Sequence, residues 1–277
     1  MMTVEELQTR RIRLWHATPE SALEKPKEIV AFLRELRWCF LIPKKLKTYP
    51  SLLHAITGVV ECPVSPSRLA SLRLLIGDLW EYPPMVRSIV EIYAVGRAPM
   101  LVTREFCKNI CVFLFEGRKS PQRLVRERQL TALEAEILSL VRTNACSKIQ
   151  FRQALNIHTR NGNAELEQAL RSLVRRLFLL RIGIDEAGRP VYRSTATILG
   201  IHSYRSSQRQ RRRAAVSLII AYLDAVVADS RVGIKSFFRG IIPPELIDGV
   251  LYDLLLRSVL RVEPNLIING KKALFHR

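Results

Sequence analysis

A mainly α chain with small β-hairpins is what this sequence predicts, and three observations predict it. First, two helix-start boxes lie close together, Thr131-Ala132-Leu133-Glu134 and Ser147-Lys148-Ile149-Gln150. Each pairs a hydroxyl with an acid or amide three residues on, which satisfies free N–H groups in a helix's first turn. Second, Leu166, Leu170, Leu173 and Leu177 recur at the spacing of one helix face, starting after the turn signal Asn161-Gly162-Asn163. Third, the period then drops to two. Leu180, Ile182 and Ile184 alternate with Arg181, Gly183 and Asp185, the chain turns at Glu186-Ala187-Gly188-Arg189, and it returns through Pro190-Val191-Tyr192-Arg193. Three helices followed by a hairpin is the order of a winged helix-turn-helix, and tandem modules of that kind are the fold class expected.

Residues 1–125 read as an N-terminal helical region. A helix is expected over about 18–37, with Pro26 as an interruption, another after Tyr49-Pro50-Ser51-Leu52, and a third from Ser65-Pro66-Ser67 to Trp80. A short strand fits 100–102, and Thr103 caps the apolar run that ends at Phe115. A degenerate winged helix is an alternative that the pattern leaves open for this half. The stretch 117–129, with Arg118, Lys119, Arg123, Arg126 and Arg128, forms the joint to a first winged-helix module at 126–200.

A second module is expected at 208–277. Its first helix covers about 211–229 and buries Val216, Ile219, Ile220, Leu223 and Val226, a short one spans 234–239, and a third runs from Pro243-Pro244 to about Ser258. Leu180-Arg181 and Leu260-Arg261 enter a strand in the two copies, 80 residues apart. The second hairpin turns at Asn269-Gly270, ahead of Lys271-Lys272.

The copies differ in charge. The first offers Asn163, Gln168, Arg171, Ser172 and Arg175 beside the hairpin arginines Arg181, Arg189 and Arg193, which suits duplex DNA. The third helix of the second exposes Glu245, Asp248, Tyr252 and Asp253, an acidic face that phosphates repel. The first copy is therefore the expected DNA reader, the second a structural or partner-binding surface. Between them runs an acid-free stretch with Arg205, Arg209, Arg211, Arg212 and Arg213. Two readings stand for it: a solvated linker that starts a helix, or a stretch with a phosphate backbone alongside, since cations at a helix N-terminus are unfavourable unless an anion sits nearby.

Composition agrees. The net charge is +19, and 33 of the 44 basic residues are arginine, whose planar fork matches phosphate and guanine edges better than lysine does. A basic proteome is the competing explanation. The length of 277 residues suits about two domains, with 48% hydrophobic residues to fill their cores. No apolar run approaches a membrane span, and the acidic start is wrong for a signal peptide, so a soluble, cytoplasmic protein is expected. Five cysteines without a Cys-x-x-Cys pair argue against a disulfide framework, and no metal site or cofactor is expected. Cys107 and Cys111 read as small core residues.

Several stretches together resemble the AlkZ-like tandem winged-helix proteins, a family that includes bacterial alkylpurine and interstrand-crosslink DNA glycosylases. The residues that carry the resemblance run from Phe32 to Pro43, with Trp38-Cys39-Phe40 at their centre, and from Tyr49 to Gly58. Leu79-Trp80-Glu81, Tyr93 before Gly96-Arg97-Ala98, and the order of helices, hairpin and arginines from Thr131 support it. The match is spread over most of the chain and has no single high-information motif. It implies double-stranded DNA as the partner and a cleft that admits a damaged base.

The glycosylases of that family resemble one another in a Gln-x-Gln or Gln-x-Asp pair in the N-terminal half. Here the only glutamine before residue 120 is Gln8, followed by Thr9-Arg10, so no catalytic residue carries over. The carboxylates available for stabilising a sugar cation are Asp78, Glu81 and Glu91, near the rings of Trp80 and Tyr82, with Trp80 as a base-stacking candidate. Each also reads as a surface acid beside a core aromatic. His16 and His54 lack spaced partners. Three functions follow: a duplex-DNA-binding protein without demonstrable catalysis, a glycosylase with a replaced catalytic pair, and a transcriptional regulator that reads an operator. The oligomeric state is left open.

Overall fold

A computed structural model of the chain describes residues 2–276 except 44–47, 60–64, 96–97, 116–120, 202–204 and Asn269. The expectations on Cys62, Gly96-Arg97, Gly117, Arg118, Lys119 and the turn residue Asn269 lie outside the described residues. One order of elements occurs three times: a helix, a short strand, two helices and a hairpin, with one further short helix before the hairpin in the first copy. In each copy the short strand pairs with the hairpin's second arm, so each sheet runs first–third–second.

The first unit follows helix α1 (Val4–Leu14) and comprises α2 (Pro26–Leu36), β1 (Trp38–Phe40), α3 (Leu52–Thr57), α4 (Pro66–Glu81), the short α5 (Pro83–Ser88), β2 (Ile89–Ile92) and β3 (Met100–Thr103). Helix α6 (Arg104–Leu114) leaves it, with the Thr103 hydroxyl accepting from Phe106 N–H. The middle unit holds α7 (Pro121–Arg126), α8 (Ala132–Thr143), β4 (Cys146–Ser147), α9 (Lys148–Ala154), α10 (Arg160–Arg175), β5 (Leu179–Ile184), β6 (Pro190–Ser194) and α11 (Thr195–Leu199). The third is α12 (Gln208–Val226), β7 (Asp229–Ser230), α13 (Arg231–Phe237), α14 (Pro244–Leu256), β8 (Leu260–Ile268) and β9 (Lys271–His276).

Both helix-start boxes of the middle unit form, Thr131 with Glu134 and Ser147 with Gln150. Four expectations shift. Pro26 starts a helix rather than kinking one, so 18–37 splits into a single turn at Pro19–Ser21 and α2, because proline fits a first turn and breaks an interior. Asn161-Gly162-Asn163 is not a turn before the third helix but its first turn, since Thr159 is the cap and accepts from Gly162 N–H. The short helix expected at 234–239 lies at Arg231–Phe237, started by the Ser230 hydroxyl. The opening residues, read only as acidic, form α1 with a Thr3–Glu6 box.

The first and third units share one core. Trp38 of β1 lies parallel to Tyr222 of α12, with 5.8 Å between ring centroids and 4° between planes, and Phe237 packs 4.7 Å from Trp38. The C-terminal end of α12 is tied to the N-terminal part of the chain by its carbonyls: Trp38 donates to Ala221 (3.1 Å), Trp15 to Ala225 (2.7 Å), and Arg11 to Val226 and Ala228 (2.8 Å each). A cation at that position also suits the negative end of the helix dipole. The middle unit keeps its own core around Ile137, Val141, Phe151, Leu166, Leu173 and Leu179. Leu177, Leu180 and Leu199 of the middle unit join the larger core, and Ile184 and Ile198 pack against it. No described helix is long and apolar enough to cross a membrane.

Candidate nucleic-acid interface

Helix α10 buries Leu166, Ala169, Leu170 and Leu173 and turns Gln168, Arg171 and Arg175 to solvent, as the amphipathic spacing demands. Its start is tight: a Cβ on Gly162 would lie 2.9 Å from Ile157 Cγ2, so the first turn closes only over a glycine. Ser172 is half-buried. Asn163 is not an outward reader. Its amide donates to Thr159 O (2.8 Å) and its Oδ1 is buried without a partner among the described residues. Glu167 ion-pairs with Lys148 of α9, and Arg171 Nε donates to the Glu167 carbonyl (3.3 Å).

The hairpin divides its arginines. Arg189 stands exposed at the tip, where Gly188 takes φ +71° and Asp185 accepts from the N–H groups of Ala187 and Arg189. Those backbone bonds, Arg189's first, hold the Asp185 carboxyl below its usual range. Arg193 is half-buried, its Nε enclosed without a partner among the described residues. Arg181 departs from the expected DNA-facing position. Its guanidinium lies 5.0 Å from the Trp80 ring centroid and 4.0 Å from Glu91, at the seam where β5 meets α4 and β2. Burial pulls its pKa down while Glu91 opposes the shift. A register shift between Arg181 and Gly183 marks a bulge at that seam.

The basic run also divides. Arg205, Arg209 and Arg213 are exposed, Arg211 packs 5.8 Å from the Phe113 ring, and Arg212 ion-pairs with Asp253 of α14. The α12 start is capped by Ser207 and Gln210. One of the two readings of the run needs an outside anion; Asp253 supplies one partner from within the chain. Likewise the acidic face of α14 is largely neutralised, since Asp248 bonds Arg231 and Lys235 (2.6 Å each) and sits below its usual range for that reason.

Two clefts accompany these surfaces. One of about 520 Å³ lies between α6 and α12, with Lys108, Arg205 and Arg213 at its edge and an Asn109–Ser217 hydrogen bond (3.0 Å) in its wall. The other, about 460 Å³, opens between Tyr93, just after β2, and α10 with Tyr192 of β6. There Tyr93 OH donates to Glu91 (2.6 Å), and burial pushes both phenols up, so they stay neutral.

The fold is similar to that of a DNA glycosylase. The chain superposes on AlkZ of Streptomyces sahachiroi, a DNA glycosylase, with a TM-score of 0.57 at 13% identity, covering 99% of this chain and 70% of that one. No protein-family model and no curated protein matches the sequence. The likeness supports the AlkZ-like fold relationship expected from the sequence.

The glycosylase candidates fare differently from one another. Trp80 is only 2% exposed, with the Arg181 guanidinium 5.0 Å from its ring centroid, so it is not a free stacking surface. Asp78 and Glu81 are exposed on α4 and line neither cleft. Glu91 is the carboxylate that the fold turns inward, between Tyr93 and Arg181. His54 is buried, with neither ring nitrogen bonded among the described residues, and burial lowers its pKa to about 4, which keeps it neutral. The described residues hold no cluster of His, Cys, Asp or Glu fit for a metal ion. Sequence reasoning missed the Arg181–Trp80–Glu91 seam; its signal was the alternation at 89–92, which marks a strand with Glu91 on the opposite side from Val90 and Ile92.

Proposed function

We propose that the protein binds double-stranded DNA, that its three repeated units are winged-helix modules, and that the middle one is the reading head. In this reading α10 enters the major groove with Gln168 and Arg171, Arg175 meets the backbone, and Arg189 at the hairpin tip touches phosphate or the minor groove. The observation that carries it is the outward face of α10, polar and cationic beside a hairpin tipped by arginine, on a unit with its own core. The role is DNA repair without demonstrable catalysis. About six phosphates neutralised give a log–log salt slope of roughly −5. Fluorescence anisotropy with a labelled duplex across a salt series measures it, and a slope near zero overturns the reading.

A second reading is an active glycosylase. It is favoured by the likeness to AlkZ, whose name states that activity, and by Glu91, half-buried beside a cleft. Incubation with alkylated or crosslinked duplex, followed by assay for abasic sites, separates the two; the first reading expects duplex binding with no base released.

A further inference from the structure

The cleft of about 460 Å³ between the first and middle units combines an aromatic and apolar lining, which a duplex-reading surface does not need, with cations at its mouth. Its walls carry two phenol rings, Tyr93 and Tyr192, over an apolar floor of Leu170 and Val174. The Tyr93 hydroxyl is spent on Glu91 (2.6 Å), which fixes that ring and leaves its carbon face rather than its hydroxyl for a ligand. At the same mouth stand Arg171 and Arg175. Lys148 is held by Glu167, whereas Arg175 has no ion pair among the described residues. A stacked base pair has its faces already covered by its neighbours. A single nucleotide has a flat face for tyrosine and a phosphate for arginine, and it fits a pocket of this size.

We propose that this cleft binds one unpaired nucleotide, its base against Tyr93 and Tyr192 and its phosphate on Arg175. The nucleotide comes either from a single-stranded end of DNA or from a free nucleoside monophosphate. The strand source rests on the duplex-binding reading; the nucleotide chemistry does not. With the full chain, anisotropy compares a blunt duplex, the same duplex with a short single-stranded overhang, and competition by dTMP and by inorganic phosphate. Preference for the overhang by about tenfold, the size of one base stacked on an aromatic ring, identifies the strand. Binding of dTMP well above inorganic phosphate identifies the free nucleotide. Tyr192→Leu abolishes whichever preference is found, while Tyr192→Phe keeps it. Because Tyr192 also packs against the middle core, an overhang carrying 5-iodouracil is crosslinked to the unaltered protein, and the adduct is expected on Tyr93 or Tyr192. No overhang preference together with dTMP no better than phosphate overturns the proposal, as does an adduct confined to other surfaces. Failure of the blunt duplex to bind while dTMP binds overturns the duplex reading alone.

Discussion

The middle unit and the body made by the first and third units share one element order and are built on opposite principles. In the body, β1 is buried on both faces, and α12 is held at its C-terminal end by indole and guanidinium donors from residues more than 180 positions earlier in the sequence. In the middle unit β5 is buried at three of its six residues, and the second arm, β6, is half-exposed throughout. The same arrangement is in one case an internal wall and in the other a projecting head. Part of the charge follows this division: Arg212, Arg231 and Lys235 of the third unit are taken up by Asp253 and Asp248, whereas Arg171 and Arg175 on α10 are exposed.

Separate cores make separate unfolding the sharpest test of this contrast. Phe151→Ala, in the middle core, and Trp38→Ala, in the shared core, each remove a fully buried ring and are each expected to cost about 3–5 kcal/mol locally. Urea unfolding followed by hydrogen exchange should show Phe151→Ala opening the middle unit while the body stays protected, and Trp38→Ala loosening the body first. A single cooperative transition, shifted equally by both, breaks the comparison.

The division of charge gives a smaller effect. Gln168→Ala with Arg171→Ala is expected to weaken duplex binding by about thirtyfold or more, since base-edge contacts are worth roughly 1–3 kcal/mol each. Asp248→Ala with Asp253→Ala should not weaken it at all. Those carboxylates cover Arg231, Lys235 and Arg212, and removing them exposes cations, so affinity at low salt rises. Equal losses from the two pairs would mean that the reading head is assigned to the wrong unit.

Much of the middle unit is legible in the sequence because its signals are local: two capping boxes, a leucine stripe and an alternating hairpin with a glycine at φ +71°. The body is not legible in this way. Trp38-Cys39-Phe40 has no alternation to betray a strand, because a strand covered on both sides needs apolar residues on both faces. Nothing in the sequence pattern marks Arg11 as interior, yet it is 4% exposed, its role set by carbonyls 215 and 217 positions away. At the candidate site, residues on the outward face of α10 follow from helix periodicity, whereas Arg181 does not. Alternation assigns it to one side of β5, but only the packing of a second unit decides whether that side meets solvent or Trp80.

Asp229 tests the body's interior through pH. Burial holds its carboxyl above the usual range, outweighing hydrogen bonds from Tyr222 and Ser230 and the charge of Arg11. A carboxyl whose folded pKa is raised binds its proton more tightly in the folded state. Its contribution is therefore full below the unfolded value and is lost as pH rises through the folded one. Urea unfolding of wild type and Asp229→Asn at several pH values should show the wild type's relative stability falling as pH rises above the ordinary aspartate range. A rise instead would mean that Arg11 dominates and that the carboxylate is an ionised strut.

The smallest effect separates two arginines of one hairpin. Arg189→Ala should lower the magnitude of the salt slope by about 1 and weaken all duplex sequences alike, because an exposed tip cation meets phosphate or the degenerate minor groove. Arg181→Ala should leave the slope unchanged, since its guanidinium is spent on Trp80 and Glu91. Its cost is structural, about 1 kcal/mol from the lost ring contact, together with a Glu91 carboxylate left without its cation and held, among the described residues, by Tyr93 alone. Limited proteolysis of the joint between the units should therefore quicken in Arg181→Ala and not in Arg189→Ala. If the two variants change the salt slope equally, Arg181 reaches DNA after all, and the seam opens when the duplex binds.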